Sequence, residues 1–215
     1  MKNVLVILLA LIVLGAKAQE EDGYTENKKD PPLGGYISFD TKISRFQSEP
    51  AIFSGVKFGM MIDEKYTIGF AGYGLSENNN FNYIDNGNTH TFKNKTGYGG
   101  FFIEYIFYHG HPIHISTPLI IGGGKTSIKE NVELDQHEFD HAHNREDTYW
   151  ATVEESEFFI LEPGIMLEAD LLKWIRLGFG ATYQWVIGNS LYSLPNADED
   201  FSGFSFNVSL KLGSF

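Results

Sequence analysis

Alternation constrains this chain more than any other feature. Between residues 158 and 186 the odd positions Phe159, Leu161, Ile165, Leu167, Ile175, Leu177, Phe179, Tyr183 and Trp185 are large and apolar, and Pro163 and Ala181 keep the phase. The even positions include Glu162, Gly164, Glu168, Arg176, Gly178, Gly180, Thr182 and Gln184, with Ile160 and Met166 as apolar exceptions. Successive side chains leave a strand on opposite sides, so period two with one apolar face predicts strands. The break at 170–173 is short, which makes the stretch a hairpin. Its apolar face needs either a protein core or lipid.

Eight such runs can be counted: 36–46, 51–62, 66–75, 96–107, 113–122, the two arms of the hairpin, and 204–215. Their connections alternate in length. Asp63-Glu64-Lys65, His109-Gly110-His111-Pro112 and the hairpin break are brief, whereas 76–95, 125–156 and 187–202 are long and polar. Asn86-Gly87 marks a hairpin tip inside the first of these. Short turns at one end and long loops at the other belong to outer-membrane barrels. No stretch beyond residue 18 has the apolar length of a spanning helix, so a membrane location would require a closed barrel.

The polar faces carry Asp40, Glu104, Glu162 and Glu168 against Lys42, Lys57, Arg176 and Lys211. Four acids meet four bases. An eight-stranded interior is just wide enough for side chains to fill, and unpaired ions there would be costly, so the balance predicts a filled lumen. Tyr66, Tyr105, Phe107, Tyr183 and Trp185 fall near strand ends, where interfacial girdles form. A soluble lipocalin-type barrel would produce the same alternation with the apolar face inward. It gives no reason for balanced charges or alternating loop lengths.

The chain opens with Lys2, an apolar run at 4–15 and Ala16-Lys17-Ala18, the pattern of a secretory signal peptide cleaved after Ala18. Residues 19–33 read as a polar periplasmic lead-in and 34–215 as the barrel. No Cys is present, so the sequence offers neither a lipoprotein anchor nor a disulfide framework. The net charge of -12 argues against nucleic acid as a partner, since that needs a cationic surface.

The even strand count, the signal sequence, the final Phe215 and the runs HISTPLIIGGG and FFILEPGIMLEADLLKWIRLGFGATYQWV resemble small Gram-negative outer-membrane β-barrel proteins of unassigned function. Their architecture is similar to the OmpA/OmpX-type eight-stranded barrels. The resemblance implies an all-β, up-and-down antiparallel transmembrane barrel with short periplasmic turns and long outer loops. It also implies contact with outer-membrane lipid and with the barrel-assembly machinery. An extracellular partner would meet loops 76–95, 125–156 and 187–202. Two features depart from the pattern. Phe215 has the wrong parity for the apolar face unless Gly213-Ser214 slips the register, and Pro118 and Pro163 stand inside strands, which predicts bulges or phase breaks.

Chemistry-bearing motifs are sparse. Gly122-Gly123-Gly124-Lys125-Thr126 suggests a phosphate loop, but the motif's first glycine position is Leu119 and no helix pattern follows. His114-x-Ser116 matches the spacing of lipid A deacylases of barrel type, with both residues on one strand face. That face points inward, away from lipid. His137, His141 and His143, with Asp135 and Asp140, form a metal-ligand type cluster in an acidic loop, and His109-x-His111 is a weaker one. No catalytic, cofactor-binding or metal residue is assigned. The expected function is a non-enzymatic barrel with a filled lumen and acidic, partner-binding or structural loops. The alternatives are a narrow transporter of small apolar solutes with a lateral gap near 72–74 and 122–124, and the deacylase. If 171–173 forms the hairpin turn, Leu167 pairs with Leu177, Gly164 with Gly180, and Glu168 lies across from Arg176.

Overall fold

A computed structural model describes residues 33–46, 49–76, 79–85, 88–132, 149–190 and 197–215. The expected signal peptide at 1–18, the lead-in through residue 32 and the cluster of His137, His141 and His143 lie outside them. Nine strands are described: β1 Leu33–Phe46, β2 Glu49–Ile62, β3 Tyr66–Leu75, β4 Asn79–Asp85, β5 Asn88–Phe107, β6 Ile113–Val132, β7 Tyr149–Leu172, β8 Ile175–Ile187 and β9 Gly203–Ser214. A short helix, α1 (Ala197–Phe201), precedes β9. Eight strands close an antiparallel ring in the order β1-β2-β3-β5-β6-β7-β8-β9, with β9 back on β1. β4 lies outside the ring and pairs with the loop-end part of β5, from Asn79↔Asn94 to Asp85↔Asn88.

Closure satisfies every edge in the membrane zone. The outward face is a belt of large apolar side chains running round the whole ring: Phe39, Phe58, Phe70, Phe101, Ile121, Ile165, Phe179 and Phe206, one from each strand. Phe101 is 66% and Phe206 68% exposed, values that no water-facing core tolerates over eight strands. The belt faces lipid, which excludes the lipocalin-type reading. Aromatic pairs mark its two rims: Tyr66 with Tyr105 at 5.2 Å near the turns, and Tyr183 with Phe204 at 5.0 Å near the loops.

In two of the expected loops nearly all the described residues are strand. Segment 76–95 holds β4 and the start of β5, and 125–156 holds the far parts of β6 and β7. β5 and β6 stay paired out to Phe92↔Glu130, and β6 and β7 to Val132↔Tyr149, across one bulge at Ile128/Lys129. β4 to β7 therefore continue as a four-stranded sheet past the barrel rim. Beyond the membrane both faces of a strand can be polar, so the alternation that signals a strand fades there.

The short turns are tight. Asp63 and Glu64 both adopt left-handed backbone, with φ of 56° and 55°, and Lys65 N–H donates to the Ile62 carbonyl at 3.3 Å. Two positive-φ central residues make a primed hairpin turn, which matches strand twist. The β7–β8 turn is Lys173-Trp174, one residue shorter than expected, with an irregularity between Asp170 and Leu172. The hairpin register consequently differs by two residues from the prediction. Leu167 pairs with Phe179, Gly164 with Thr182, and Glu168 with Gly178. A shift of two keeps every side chain on its predicted face.

The prolines cause no phase break. β6–β7 keeps one register from Ile113↔Ala169 to Ile128↔Glu154, losing only the rungs at Thr117 and Pro118. Pro163 remains aligned with Leu119. No lateral gap opens at the glycines either, because β3–β5 pairs through Gly74↔Gly97 and β5–β6 through Gly97↔Lys125. Phe215 does not slip to the lipid face. Its ring turns to the interior side, 5.9 Å from that of Tyr36, with the Arg176 guanidinium 4.1 Å from its centroid. The parity is kept and the residue closes the turn end of the barrel.

Candidate functional site

The interior is the chemically richest part of the molecule. All eight predicted inward ions are buried, from Glu162, Glu168 and Lys211 at 0% exposure to Asp40 and Arg176 at 5%. They sort into three groups along the barrel. Toward the loop end, Lys42 on β1 meets Glu162 on β7 at 2.5 Å. The Tyr98 hydroxyl donates to Glu162 at 2.8 Å while accepting from Lys42 at 2.9 Å and from the Gln184 amide at 2.7 Å. The Lys42 ammonium also stands 3.4 Å from the Tyr73 ring centroid. In the second group Lys57 binds Asp40 at 3.0 Å, and Tyr73 donates to the same carboxylate at 2.7 Å.

The third group lies toward the turns. Lys211 donates to both Glu104 oxygens at 2.9 Å and to Glu168 at 2.7 Å. Tyr36 donates to Glu104 at 2.7 Å. Arg176 reaches Glu168 at 3.5 Å and donates from Nε to Asp170 at 2.6 Å. The expected Glu168–Arg176 pair exists, but as a diagonal contact between residues two rungs apart. Each buried ion is met by a counter-ion, and the hydroxyls of Tyr36, Tyr73, Tyr98 and Ser116 add donors to the carboxylates.

His114 and Ser116 share the interior face and are 2% and 0% exposed. They do not form a nucleophile and base. The Ser116 hydroxyl donates to Glu104 at 2.9 Å and to Glu168 at 2.7 Å, while His114 Nε2 stands 3.2 Å from Glu168. The hydroxyl thus sits between two carboxylates on the interior face, opposite in direction to the lipid-facing belt. His109 and His111 line a cavity of about 580 Å³ at the turn end, together with Arg176 and Phe215. Among the described residues no three His, Asp or Glu side chains are placed to hold a metal ion.

Sequence alternation did not reveal the remaining fill. Phe53, Phe102, Ile106, Ile120 and Phe158 point inward and pack with Met61, Ile160 and Val186. At the loop end α1 lays Phe201 into the mouth, its ring stacked on Phe158 at 6.2 Å. Asp198 accepts hydrogen bonds from Gly188 N–H at 3.2 Å and Asn189 N–H at 2.7 Å, and Ser202 bridges the Asp198 carbonyl and Val186 N–H. Doublets such as Phe101-Phe102 and Phe158-Phe159 are the only sequence trace of this layer, since each puts one ring on either face.

The ring, the outward apolar belt, the paired aromatic rims and the ion-filled interior define an outer-membrane β-barrel. Solved structures with this fold include a major outer-membrane protein from Thermus thermophilus, at TM-score 0.51 and 9% identity over 84% of this chain and 98% of that one. Ail, the attachment invasion locus protein of Yersinia pestis, solved with the heparin analogue sucrose octasulfate, is similar at TM-score 0.47 and 6% identity over 86% and 99%. The N-terminal β-barrel domain of Pseudomonas aeruginosa OprF aligns at TM-score 0.40 and 10% identity over 83% and 98%. No protein-family model matches the chain, and no curated protein matches its sequence.

Proposed function

We propose that this chain is a non-enzymatic outer-membrane protein, delivered by its signal peptide and inserted by the barrel-assembly machinery, whose barrel serves as an anchor. Its activity is contact with an extracellular partner through the sheet formed by the loop-end parts of β4 to β7. The observation that carries this reading is the interior: eight ions and a layer of apolar rings occupy the lumen from Phe215 to Phe201. A lumen so filled is a support, and the chain's investment in structure beyond the membrane needs another purpose. The extended strands supply it, with β4 paired on one side only among the described residues.

Purified barrel in planar bilayers tests the anchor. Only brief, low-amplitude currents are expected, and large, stable single-channel openings would refute a filled lumen. Cell-surface labelling tests the sheet, by tagging residue 87, which lies between β4 and β5 in sequence. A tag accessible only from the periplasm would overturn the orientation on which partner contact depends.

A further inference from the structure

One interior ring arrives differently from the rest. Tyr36, Phe53, Tyr73, Tyr98, Phe102 and Phe158 are carried into the lumen by strands of the ring. Phe201 is brought in at the loop end by α1, a helix of five residues. A helix so short has no stability of its own in water. Its described hydrogen bonds to the barrel reach one segment only, the end of β8 and the two residues after it. Asp198 accepts from Gly188 and Asn189 N–H, and Ser202 accepts from Val186 N–H. Gly188 has φ of 87°, a left-handed backbone that glycine adopts without strain. Few tethers at an exposed end mark the part of a fold that opens first.

What α1 covers is a preformed cup. Phe53, Phe158 and Ile160 supply apolar walls, while Ser44, Tyr98 and Gln184 bring polar atoms to it. These residues stand on ring strands, so the ladders hold them in place whether or not α1 is docked. The polar side is braced as well. Gln184 Nε2 donates to the Tyr98 hydroxyl at 2.7 Å, Ser44 Oγ donates to Gln184 Oε1 at 3.3 Å, and Tyr98 is fixed on Glu162 and Lys42. With the Phe201 ring in place, a cavity of about 20 Å³ remains among that ring and these groups. Such a space admits about one group the size of a hydroxyl or a water. An apolar cup with a few placed polar groups is the usual form of a small-molecule site.

We infer that this cup is a binding site for a small phenol, and that Phe201 fills it as an internal stand-in when no ligand is present. The docked ring selects the ligand class, because the cup already fits one phenyl group stacked 6.2 Å from Phe158. The leftover space selects a hydroxyl, which would lie against Ser44 and Gln184. Exchange costs little. The incoming ring takes over the apolar contacts of Phe201, and the amides released by Asp198 and Ser202 turn to water at the mouth. The site ends at Tyr98, so a bound phenol leaves the Lys42–Glu162 pair and the filled lumen below it intact. The inference goes beyond partner contact through the extended sheet and does not depend on it.

The test uses the full barrel in nanodiscs, with p-cresol and toluene as probes that differ only in the hydroxyl. The chain has no Cys and Glu199 is exposed, so a nitroxide on Glu199→Cys reports α1 alone. p-Cresol should bind in calorimetry and narrow the nitroxide spectrum as α1 leaves the cup. Phe201→Ala removes the competing ring. With an open state populated at about 10% or less, it should tighten p-cresol binding at least about tenfold. Phe201→Tyr puts its own hydroxyl into the leftover space and should weaken p-cresol binding about two- to tenfold. Ser44→Ala should lower the preference for p-cresol over toluene by a similar factor and leave toluene binding unchanged. Heat-modifiable migration on gels shows which variants form the barrel, and Phe201→Tyr keeps the test decisive where Phe201→Ala does not fold. Equal binding by native and variant barrels would mean partition into the lipid and overturn the proposal. Binding to Phe201→Ala with no response of the nitroxide in the otherwise native chain would overturn it too, since the cup would then be an engineered cavity only.

Discussion

Replacing Lys42 with Met should destabilise the barrel more than replacing Lys42 and Glu162 together. Lys42 is the only cation within ion-pair distance of Glu162 among the described residues, and the two are 2% and 0% exposed. Removing the ammonium leaves a carboxylate with the Tyr98 hydroxyl as its one described donor. Breaking a buried pair from one side costs roughly 3–5 kcal/mol, because the survivor stays charged in a poor dielectric. Replacing both partners by apolar groups of similar volume is often neutral or stabilising. Lys42→Met/Glu162→Leu should then recover most of the loss, apart from about 1–3 kcal/mol for the Tyr98 hydroxyl left without its acceptor. Urea unfolding of the refolded barrel, followed by tryptophan fluorescence, supplies both values and the coupling term of the double-mutant cycle. A single variant as stable as the double, or a coupling below about 1 kcal/mol, would refute the claim that the pair is a desolvated ion contact.

Other expectations follow from local geometry. Lys211→Met should cost more than Arg176→Met in the same unfolding assay, because Lys211 serves both Glu104 and Glu168 whereas Glu168 keeps Lys211 when Arg176 is lost. Asp63→Asn/Glu64→Gly should stabilise by about 1 kcal/mol, since left-handed backbone penalises the native side chains and suits the replacements; a fall in the urea midpoint would count against the turn assignment. Gly122→Val should prevent folding, read as loss of heat-modifiable migration. A Cβ there would stand 2.1 Å from the Gly99 carbonyl oxygen. Gly74→Val, where the added atoms meet open space, should migrate as the native barrel does.

Much of the barrel was legible because lipid and lumen make opposite demands on alternate residues. That contrast locates the eight ring strands, their faces and all eight interior ions. It stops where the membrane stops. Residues 125–132 and 149–157 have no lipid side, so Lys125 to Val132 and the strand opposite them looked like loop. The contrast is also blind to residues that break it for packing: Phe102, Ile106 and Ile120 fill the lumen as apolar groups on the polar face, and only volume inside the ring explains them. Phe201 lay beyond any pattern, because a five-residue helix inserting one ring leaves no periodic trace.

The two-residue error in the hairpin register shows what the interior ions accomplish. A slip of one would exchange lipid and lumen faces throughout a strand, which the belt forbids. A slip of two preserves both faces, and the lipid side, being apolar everywhere, cannot resist it. Glu168 would meet Arg176 in either register, so that hairpin's charges do not discriminate and its turn must. Elsewhere the discriminating contacts reach across the lumen. Lys42 and Glu162 are 120 residues apart in sequence, and Lys211 and Glu104 are 107 apart. Moving β1 or β9 by two residues would carry an ammonium about 7 Å from its carboxylate and strand both. Buried ions add little net stability, yet they penalise the one family of misregistered barrels that hydrophobicity leaves open. In this chain the charged lumen is what selects a single barrel from its near-equivalents.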